Sequence, residues 1–337
     1  MPYYRPIPQT DHVRPPDAHP LAGGWCWFTH VECLHRDRAS EVIPASDLPA
    51  DALHRLTAPR APIAGLTFDK PTLMGILNVT PDSFSDGGDH FELSAAVERA
   101  LTMRNEGATL IDIGGESTRP GAEEVPIDEE IRRTAPVIEA IRAVTNTPIS
   151  IDTRKAPVAR AAAEAGANLV NDVAGFTFDP DLAPFCASAS LPVCVMHAQG
   201  TPDVMQKDPR YDNVALDVYD FLSTRIEALV AEGVSPDQII VDPGIGFGKT
   251  LEHNLTLLQN LSLFHALGCP ILLGASRKRF IGTIGGSDEA RHRAPGSIAV
   301  ALAGLAQGVQ ILRIHDVRET TEAMRLWQAS TFGKVPG

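Results

Sequence analysis

The sequence of 337 residues is poor in basic residues and contains no long apolar run. Lys and Arg number 29 against 42 Asp and Glu, and the net charge of -13 would repel a phosphate backbone. No apolar run approaches the roughly 20 residues that cross a bilayer, and the proline-rich N-terminus lacks the apolar core of a secretory signal. We therefore expect a cytoplasmic protein that binds neither nucleic acid nor a membrane.

Cysteine is also scarce. The five cysteines are an odd number and include no CxxC pair; they are Cys26, Cys33, Cys186, Cys194 and Cys269. Three of them have strongly apolar neighbours, which suits reduced, buried thiols better than disulfide bridges or zinc ligands. With 44% hydrophobic residues, the chain has enough apolar material to be stabilised by its core.

One structural unit recurs from Pro71 onward. It consists of a short run rich in Ile, Val and Leu, a polar or glycine-containing end, and an amphipathic helical stretch. The eight apolar runs are 73–79, 109–114, 149–152, 169–173, 193–197, 239–242, 271–276 and 310–315. Because parallel strands need helical crossovers, eight such units predict a (β/α)8 TIM barrel, which we assign to residues 69–337.

Residues 1–68 do not fit this repeat and are predicted to form a short N-terminal extension. Strand-like stretches at 25–34 and 41–44 flank a polar stretch at 35–40, a pattern typical of a β-hairpin. The aromatic residues Trp25, Trp27 and Phe28 are expected to serve local packing. We expect the extension to be dispensable for chemistry, because no candidate site residue lies in it.

Polar residues stand at the predicted carboxyl ends of all eight barrel strands, where barrel enzymes carry their active sites. In chain order these are Asn78, Asp112, Asp152, Asn171 with Asp172, His197, Asp242, Ser276 with Lys278, and His315 just after Arg313. A single residue such as Asp172 or Thr153 is equally well explained as a helix cap. Polar residues at eight ends indicate a functional site.

Two kinds of binding are expected at these ends. Asp152, Asn171 and Asp242 would offer hydrogen-bonding groups to a flat heterocycle with amino and lactam groups. The cations that follow strands seven and eight would hold an anionic group; they are Arg277, Lys278, Arg313 and His315. The polar, glycine-containing loops 78–88 and 114–121 are predicted to move over the site.

Seven segments of the chain resemble, in order, the motifs of the dihydropteroate synthase family. They are MGILNVTPDSFSDGG at 74–88, DIGGESTRPGA at 112–122, SIDT at 150–153, VNDV at 170–173, DPGIGFGK at 242–249, GASRKR at 274–279 and RIHD at 313–316. Each motif is weak alone, but their order is specific. The resemblance implies a transferase of folate biosynthesis that sulfonamides target. It would join p-aminobenzoate to 6-hydroxymethyl-7,8-dihydropterin diphosphate, releasing pyrophosphate and 7,8-dihydropteroate.

The resemblance also implies a set of binding residues. The pterin would be bound by Asp152, Asn171, Asp242 and Lys278. The diphosphate would be bound by Asn78, Arg313 and His315, with Asn78 acting through Mg²⁺, for which an amide oxygen, waters and phosphate oxygens are suitable ligands. The p-aminobenzoate site would contain Phe84, Thr118, Arg119, Pro120, Phe247, Ser276 and Lys278. Family members are commonly homodimers.

The implied reaction begins with loss of pyrophosphate and leaves a cation that the pterin ring delocalises, so the attacking amine needs no strong base. The chain must then neutralise the leaving group, orient the arylamine and place an anionic group such as Asp86 near the cation. The residues assigned to catalysis are Asp86, Arg119, Lys278, Arg313 and His315.

Two alternatives remain. A pterin-dependent methyltransferase barrel would also bind pterin with strand-end Asp and Asn residues, but it would have no use for the diphosphate-binding cluster. A pterin-binding homologue without catalysis is expected to have lost at least one of the loop or cation residues. All of them are present in this sequence.

Overall fold

A computed structural model describes residues 2–79, 89–117, 124–200 and 209–333. The N-terminal extension contains five short strands, the 3-10 helix Ala45–Asp47 and one α-helix. Its elements are β1 Tyr3–Pro6, β2 His19–Pro20, β3 Trp27–Phe28, β4 His30–Leu34, β5 Glu41–Pro44 and α1 Ala50–Thr57. The predicted hairpin is confirmed, because β4 and β5 pair antiparallel from His30 opposite Pro44 to Cys33 opposite Glu41. Strand β1 adds a third strand on the other side of β4.

Eight parallel strands follow and form the barrel. They are β6 Thr72–Asn78, β7 Leu110–Gly114, β8 Ile149–Asp152, β9 Leu169–Asp172, β10 Val193–Met196, β11 Ile239–Asp242, β12 Leu272–Leu273 and β13 Ile311–Ile314. Their order in the sheet is β11-β10-β9-β8-β7-β6-β13-β12, and a parallel bridge between Val241 and Ile271 joins the two ends. The predicted (β/α)8 TIM barrel is confirmed. Strand β12 is shorter than predicted, since the chain leaves the sheet before a turn that holds Arg277 at a φ of 58°.

Helices alternate with these strands and cover the outside of the barrel. The α-helices are α2 Asp89–Glu106, α3 Ile127–Val144, α4 Ala156–Glu164, α5 Leu182–Ser188, α6 Val214–Ala231, α7 Leu251–Gln259, α8 Arg279–Gly285, α9 Ala294–Leu305 and α10 Val317–Phe332. Short 3-10 helices span Pro236–Gln238, Leu261–Leu267 and Ala290–Arg293. Capping residues mark where two of these helices begin. The Asn213 side chain caps α6, and Thr250 and His253 form a capping box on α7. No helix in these described ranges is long and apolar enough to span a membrane.

The extension packs against the side and the amino-terminal end of the barrel. The indole Nε1 of Trp25 donates to the Leu305 carbonyl at 2.8 Å, and the Ser262 hydroxyl donates to the Pro6 carbonyl at 2.9 Å. Buried Ile63, Leu66 and Phe68 pack among the inward-facing residues at the amino-terminal ends of the strands. These residues close the floor of the barrel. The functional separation of 1–68 from 69–337 stays a prediction.

We predict that Phe68→Ala lowers the free energy of unfolding by about 3 to 5 kcal/mol, because it opens a cavity in a closed apolar floor. Phe68 is 3% exposed, whereas Val42 of the hairpin is 60% exposed. Val42→Ala is therefore the matched control and should change stability by no more than about 0.5 kcal/mol. Urea unfolding followed by circular dichroism measures both. Equal small losses would show that the extension does not complete the core.

Candidate active site

The inside of the barrel is apolar at its amino-terminal end and polar at its carboxyl end. Side chains two residues apart on a strand face the same side, so each strand contributes successive inward positions. The apolar layer that contacts the floor consists of Met74, Leu110, Leu169, Cys194, Ile240, Leu272 and Ile311. Two residues further along, the same faces carry Asp112, Asn171, Asp242 and Arg313. The period of two therefore places polar groups above an apolar floor.

Arg313 on β13 lies between two carboxylates from other strands. Its Nε donates to Asp112 Oδ2 at 2.6 Å and its Nη2 to Asp152 Oδ2 at 2.7 Å. Asn171 Nδ2 is 3.4 Å from Asp112 Oδ2. Asp112 is fully buried and Asp152 is 7% exposed. Their ion pairs with Arg313 offset part of the cost of removing two negative charges from water.

The second oxygen of each carboxylate is not used in these contacts. Asp112 Oδ1 and Asp152 Oδ1 are buried and have no hydrogen-bond partner among the residues that the structure describes. Leaving a buried acceptor unpaired costs about 1 to 3 kcal/mol, more for a charged group. A ligand with N–H donors would remove this cost, so the pair is suited to an amino-substituted heterocycle.

Burial also changes the protonation of these groups. Removal from water raises the pKa of Asp152 to about 7, an effect that the Arg313 guanidinium opposes and the nearby Asp112 carboxylate adds to. Burial likewise raises the pKa of Asp242, with the Lys278 ammonium opposing it. Asp242 Oδ1 accepts the Gly244 N–H at 2.7 Å, which orients this carboxylate. Both groups would be stabilised in the ionised form by donors from a ligand.

Lys278 and Phe247 are in contact beside Asp242. The Lys278 ammonium donates to the Ile245 carbonyl and lies 4.2 Å from the centre of the Phe247 ring. Burial lowers the pKa of Lys278 to about 7, against the attraction of Asp242. The half-buried amine can therefore change its charge near neutral pH.

Ser276 and His315 join the ends of the last two strands. The Ser276 hydroxyl oxygen accepts the His315 backbone N–H at 3.2 Å and lies 3.0 Å from His315 Nδ1. The structure thus places Ser276 beside His315 at the carboxyl end of the barrel, where Lys278 and Arg313 also lie.

Asn78 stands exposed at the end of β6 and pairs in register with Gly114. A Cβ at Gly114 would lie 3.5 Å from the Asp152 Cβ and 3.9 Å from Asn78 Oδ1, so Gly114 on β7 lies between Asn78 and Asp152. Within the described ranges, no group of three or more His, Cys, Asp or Glu side chains could hold a metal ion. An ion at Asn78 would therefore need most of its ligands from water or substrate.

Several candidate residues lie outside the described residues. Phe84 and Asp86 belong to the first predicted mobile loop, and Thr118, Arg119 and Pro120 belong to the second. Their roles stay predictions.

Polar residues that share a position at the strand ends have different partners in the structure. Asp172 accepts the backbone N–H groups of Ala174 and Phe176 at 2.7 and 2.6 Å, so it caps a turn and not a helix, whereas the alternative interpretation predicted a helix cap. Arg277 pairs with Asp316, which neutralises one cation of the expected anion-binding group. The sequence pattern assigns no binding role to Asp112. Its position two residues after the inward-facing Leu110 nevertheless predicts that it also faces the interior.

The chain is similar to proteins of one family of enzymes. A family model described as pterin binding enzyme matches residues 74–315. The chain is 46% identical over 272 residues to the dihydropteroate synthase of Escherichia coli (strain K12), covering 80% of this chain and 95% of that protein. A Xanthomonas albilineans dihydropteroate synthase solved with 4-aminobenzoic acid is 46% identical with a TM-score of 0.76, covering 82% of this chain and 99% of that one. The same species' enzyme in complex with 7,8-dihydropteroate is 43% identical with a TM-score of 0.74, covering 82% and 100%.

We predict that Lys278 reacts with a limiting acetylating reagent faster than the exposed Lys70 at pH 7, because its lowered pKa leaves more of the amine unprotonated. The rate for Lys278 should level off just above pH 7. Peptide mass spectrometry from pH 6 to 9 measures both sites in one sample. A Lys278 rate that keeps rising up to pH 9 in parallel with that of Lys70 would contradict the lowered pKa.

Proposed function

Because the chain belongs to the dihydropteroate synthase family of pterin-binding enzymes, we propose that the barrel mouth is divided into a pterin, a diphosphate and an arylamine subsite. The enzyme is a transferase that condenses 6-hydroxymethyl-7,8-dihydropterin diphosphate with p-aminobenzoate to give 7,8-dihydropteroate and pyrophosphate. The observation that carries the division is the buried cluster of Arg313 with Asp112 and Asp152, because it joins acceptors for a pterin to a cation for a phosphate.

The pterin subsite consists of Asp152, Asn171, Asp242 and Lys278. The unpartnered oxygen of Asp152 suits the donor groups on the amino-substituted edge of the ring, while Lys278 can donate to its lactam oxygen. Asn171 supplies both an acceptor and a donor. A site that pairs each polar ring atom rejects ligands that lack one of them.

The diphosphate subsite consists of Arg313, His315 and Asn78. A guanidinium has five N–H donors, so Arg313 can hold a phosphate oxygen while it keeps both carboxylates. The residues present also fit Mg²⁺, because this ion keeps several waters and often takes only one or two protein ligands beside substrate phosphates. Asn78 would supply an amide oxygen at the strand end. Bound there, Mg²⁺ would supply charge neutralisation for the pyrophosphate.

The arylamine subsite contains Phe247, Ser276 and Lys278 on the barrel, with Phe84, Thr118, Arg119 and Pro120 from the two loops. The contact between Lys278 and the Phe247 ring supports this subsite, because it places a cation and an apolar face together next to the pterin residues. Such a pair suits an aromatic carboxylate.

The chemistry follows from this division. The C–O bond to the diphosphate breaks, and its electron pair leaves with pyrophosphate while Arg313 and His315 stabilise the developing charge. The amine nitrogen of p-aminobenzoate then forms the C–N bond and loses a proton. Asp86 would stabilise the intervening cation, and Arg119 would hold the incoming molecule. We further propose a cytoplasmic homodimer in which residues 1–68 serve stability and not chemistry.

Release of pyrophosphate on mixing the purified enzyme with both substrates tests the function directly. We expect release to require both substrates and Mg²⁺. A pterin-dependent methyltransferase would release none, and a non-catalytic pterin-binding protein would bind the pterin without turnover. Omission of each substrate in turn is the internal control.

We predict that pterin binding weakens as the pH falls through about 7, because protonation of Asp152 removes an acceptor for the ring donors. Asp152→Asn should bind the pterin more weakly by about 1.5 to 3 kcal/mol at pH 8 and lose this dependence. Binding of p-aminobenzoate should change much less. Calorimetry from pH 6 to 8 measures these affinities. An equal loss for both ligands would remove Asp152 from the pterin subsite.

A further inference from the structure

A buried lysine lies directly behind the proposed arylamine subsite. Lys249 follows the glycine-rich turn after β11 and is 3% exposed. Its ammonium donates to His197 Nδ1 at 2.9 Å, to the Phe247 carbonyl at 2.9 Å and to the His197 carbonyl at 3.3 Å. Within the described ranges, no carboxylate forms an ion pair with it. Two of the three contacts of the Lys249 amine are thus with His197, and the third is with the backbone of Phe247 in the proposed subsite.

His197 is suited to accept this bond. Burial, with the Lys249 charge, lowers the pKa of His197 to about 2, so its ring is neutral. An ammonium has no acceptor, so the ring nitrogen that faces Lys249 in its charged form is the unprotonated one. The His197 ring is held in turn against Phe221, with ring centres 4.8 Å apart. His197 therefore gives Lys249 a fixed anchor on β10.

An uncompensated buried ammonium is costly, and burial lowers the pKa of Lys249 well below its usual range. An apolar side chain of similar length would fill the same space without that cost. What the amine adds is a set of directed hydrogen bonds. Two of these bonds end on His197, and the third ends on the Phe247 carbonyl in the segment that also carries Ile245.

The turn from Gly244 to Gly248 is held closely on every side. A Cβ at Gly244, where φ is 69°, would clash with the His197 carbonyl oxygen. The Gly246 N–H donates to Asn254 Oδ1 at 2.6 Å, and the Tyr211 hydroxyl donates to the Gly248 carbonyl at 2.7 Å. The Ile245 carbonyl accepts from Lys278. Movement of this backbone would displace both the Phe247 ring and the amine of Lys278.

We propose that Lys249, anchored on His197, is a positioning residue that fixes Phe247 and Lys278 at the junction of the pterin and arylamine subsites. It acts through the Phe247 carbonyl and touches neither substrate. This inference rests on the proposed division of the barrel mouth.

The test is Lys249→Met, which keeps the length of the side chain and removes its donors. We expect the KM for p-aminobenzoate to rise about tenfold, because a small displacement of a positioned group weakens its contacts strongly. The KM for the pterin diphosphate should rise less than about threefold, because Asp152 on β8 and Asn171 on β9 lie outside this turn and would still bind the ring.

Two substitutions of His197 test whether a side-chain acceptor at this position is enough to keep the KM for p-aminobenzoate low. His197→Asn places a side-chain acceptor near the position of Nδ1 and should raise the KM for p-aminobenzoate by less than about threefold. His197→Leu fills similar space without an acceptor and should behave like Lys249→Met. A merely structural role would not separate these two substitutions in this way.

Arg60→Met is the matched control for losing a buried cation. Arg60 donates to the carbonyls of Ala58 and His265 near the amino-terminal end of the barrel, far from the strand-end residues of the site. It should lower the melting temperature and leave both KM values unchanged. Folding of every variant is checked by circular dichroism.

The results of these experiments distinguish failure of this inference from failure of the proposed subsite assignment. If Phe247→Ala raises the KM for p-aminobenzoate while Lys249→Met does not, the subsite stands and Lys249 has no positioning role. If Lys249→Met raises both KM values equally, its effect is general and the proposal is overturned. If Phe247→Ala has no effect on p-aminobenzoate, the assignment of the subsite itself is wrong.

Discussion

The ion pairs of Arg313 with Asp112 and Asp152 are the contacts on which the rest of the site depends. Three strands bring these side chains into the interior, where each charge alone would be costly. The pairing lets two carboxylates stay inside the barrel with one oxygen each still unpartnered. The same guanidinium can still donate to a phosphate, because only two of its five N–H donors are used in these ion pairs. In the proposed function, this one cluster of paired charges would therefore bind both the pterin ring and the departing pyrophosphate.

This cluster requires a rigid, dry support beneath it. The apolar layer of the barrel and the residues Ile63, Leu66 and Phe68 of the extension supply that support. Buried charges above a closed floor have raised or lowered pKa values, as Asp152 and Lys278 show, both at about 7. The extension thus packs beneath the site and contributes no assigned binding residue.

The glycine-rich turn after β11 connects two parts of the site that are chemically different. Asp242 at its start is assigned to the proposed pterin subsite, and Phe247 near its end to the proposed arylamine subsite. Glycines at positive φ let the backbone approach β10 closely, which brings the carbonyl groups within reach of Lys249. The turn packs backbone against backbone here, because a Cβ at Gly244 or Gly248 would clash with the carbonyl oxygens of His197 or Gln199.

The eight strands, the hairpin and the polar strand ends can be predicted from the sequence, because hydrophobic period and turn residues act over a few positions. The sequence pattern does not distinguish Asp112, which faces inward, from Asp172, which caps a turn. It also does not show that Arg277 is neutralised by Asp316, or that Lys249 contacts a histidine 52 residues away. These pairings depend on tertiary structure, because strand register and closure of the barrel set the distances between residues that are far apart in the chain.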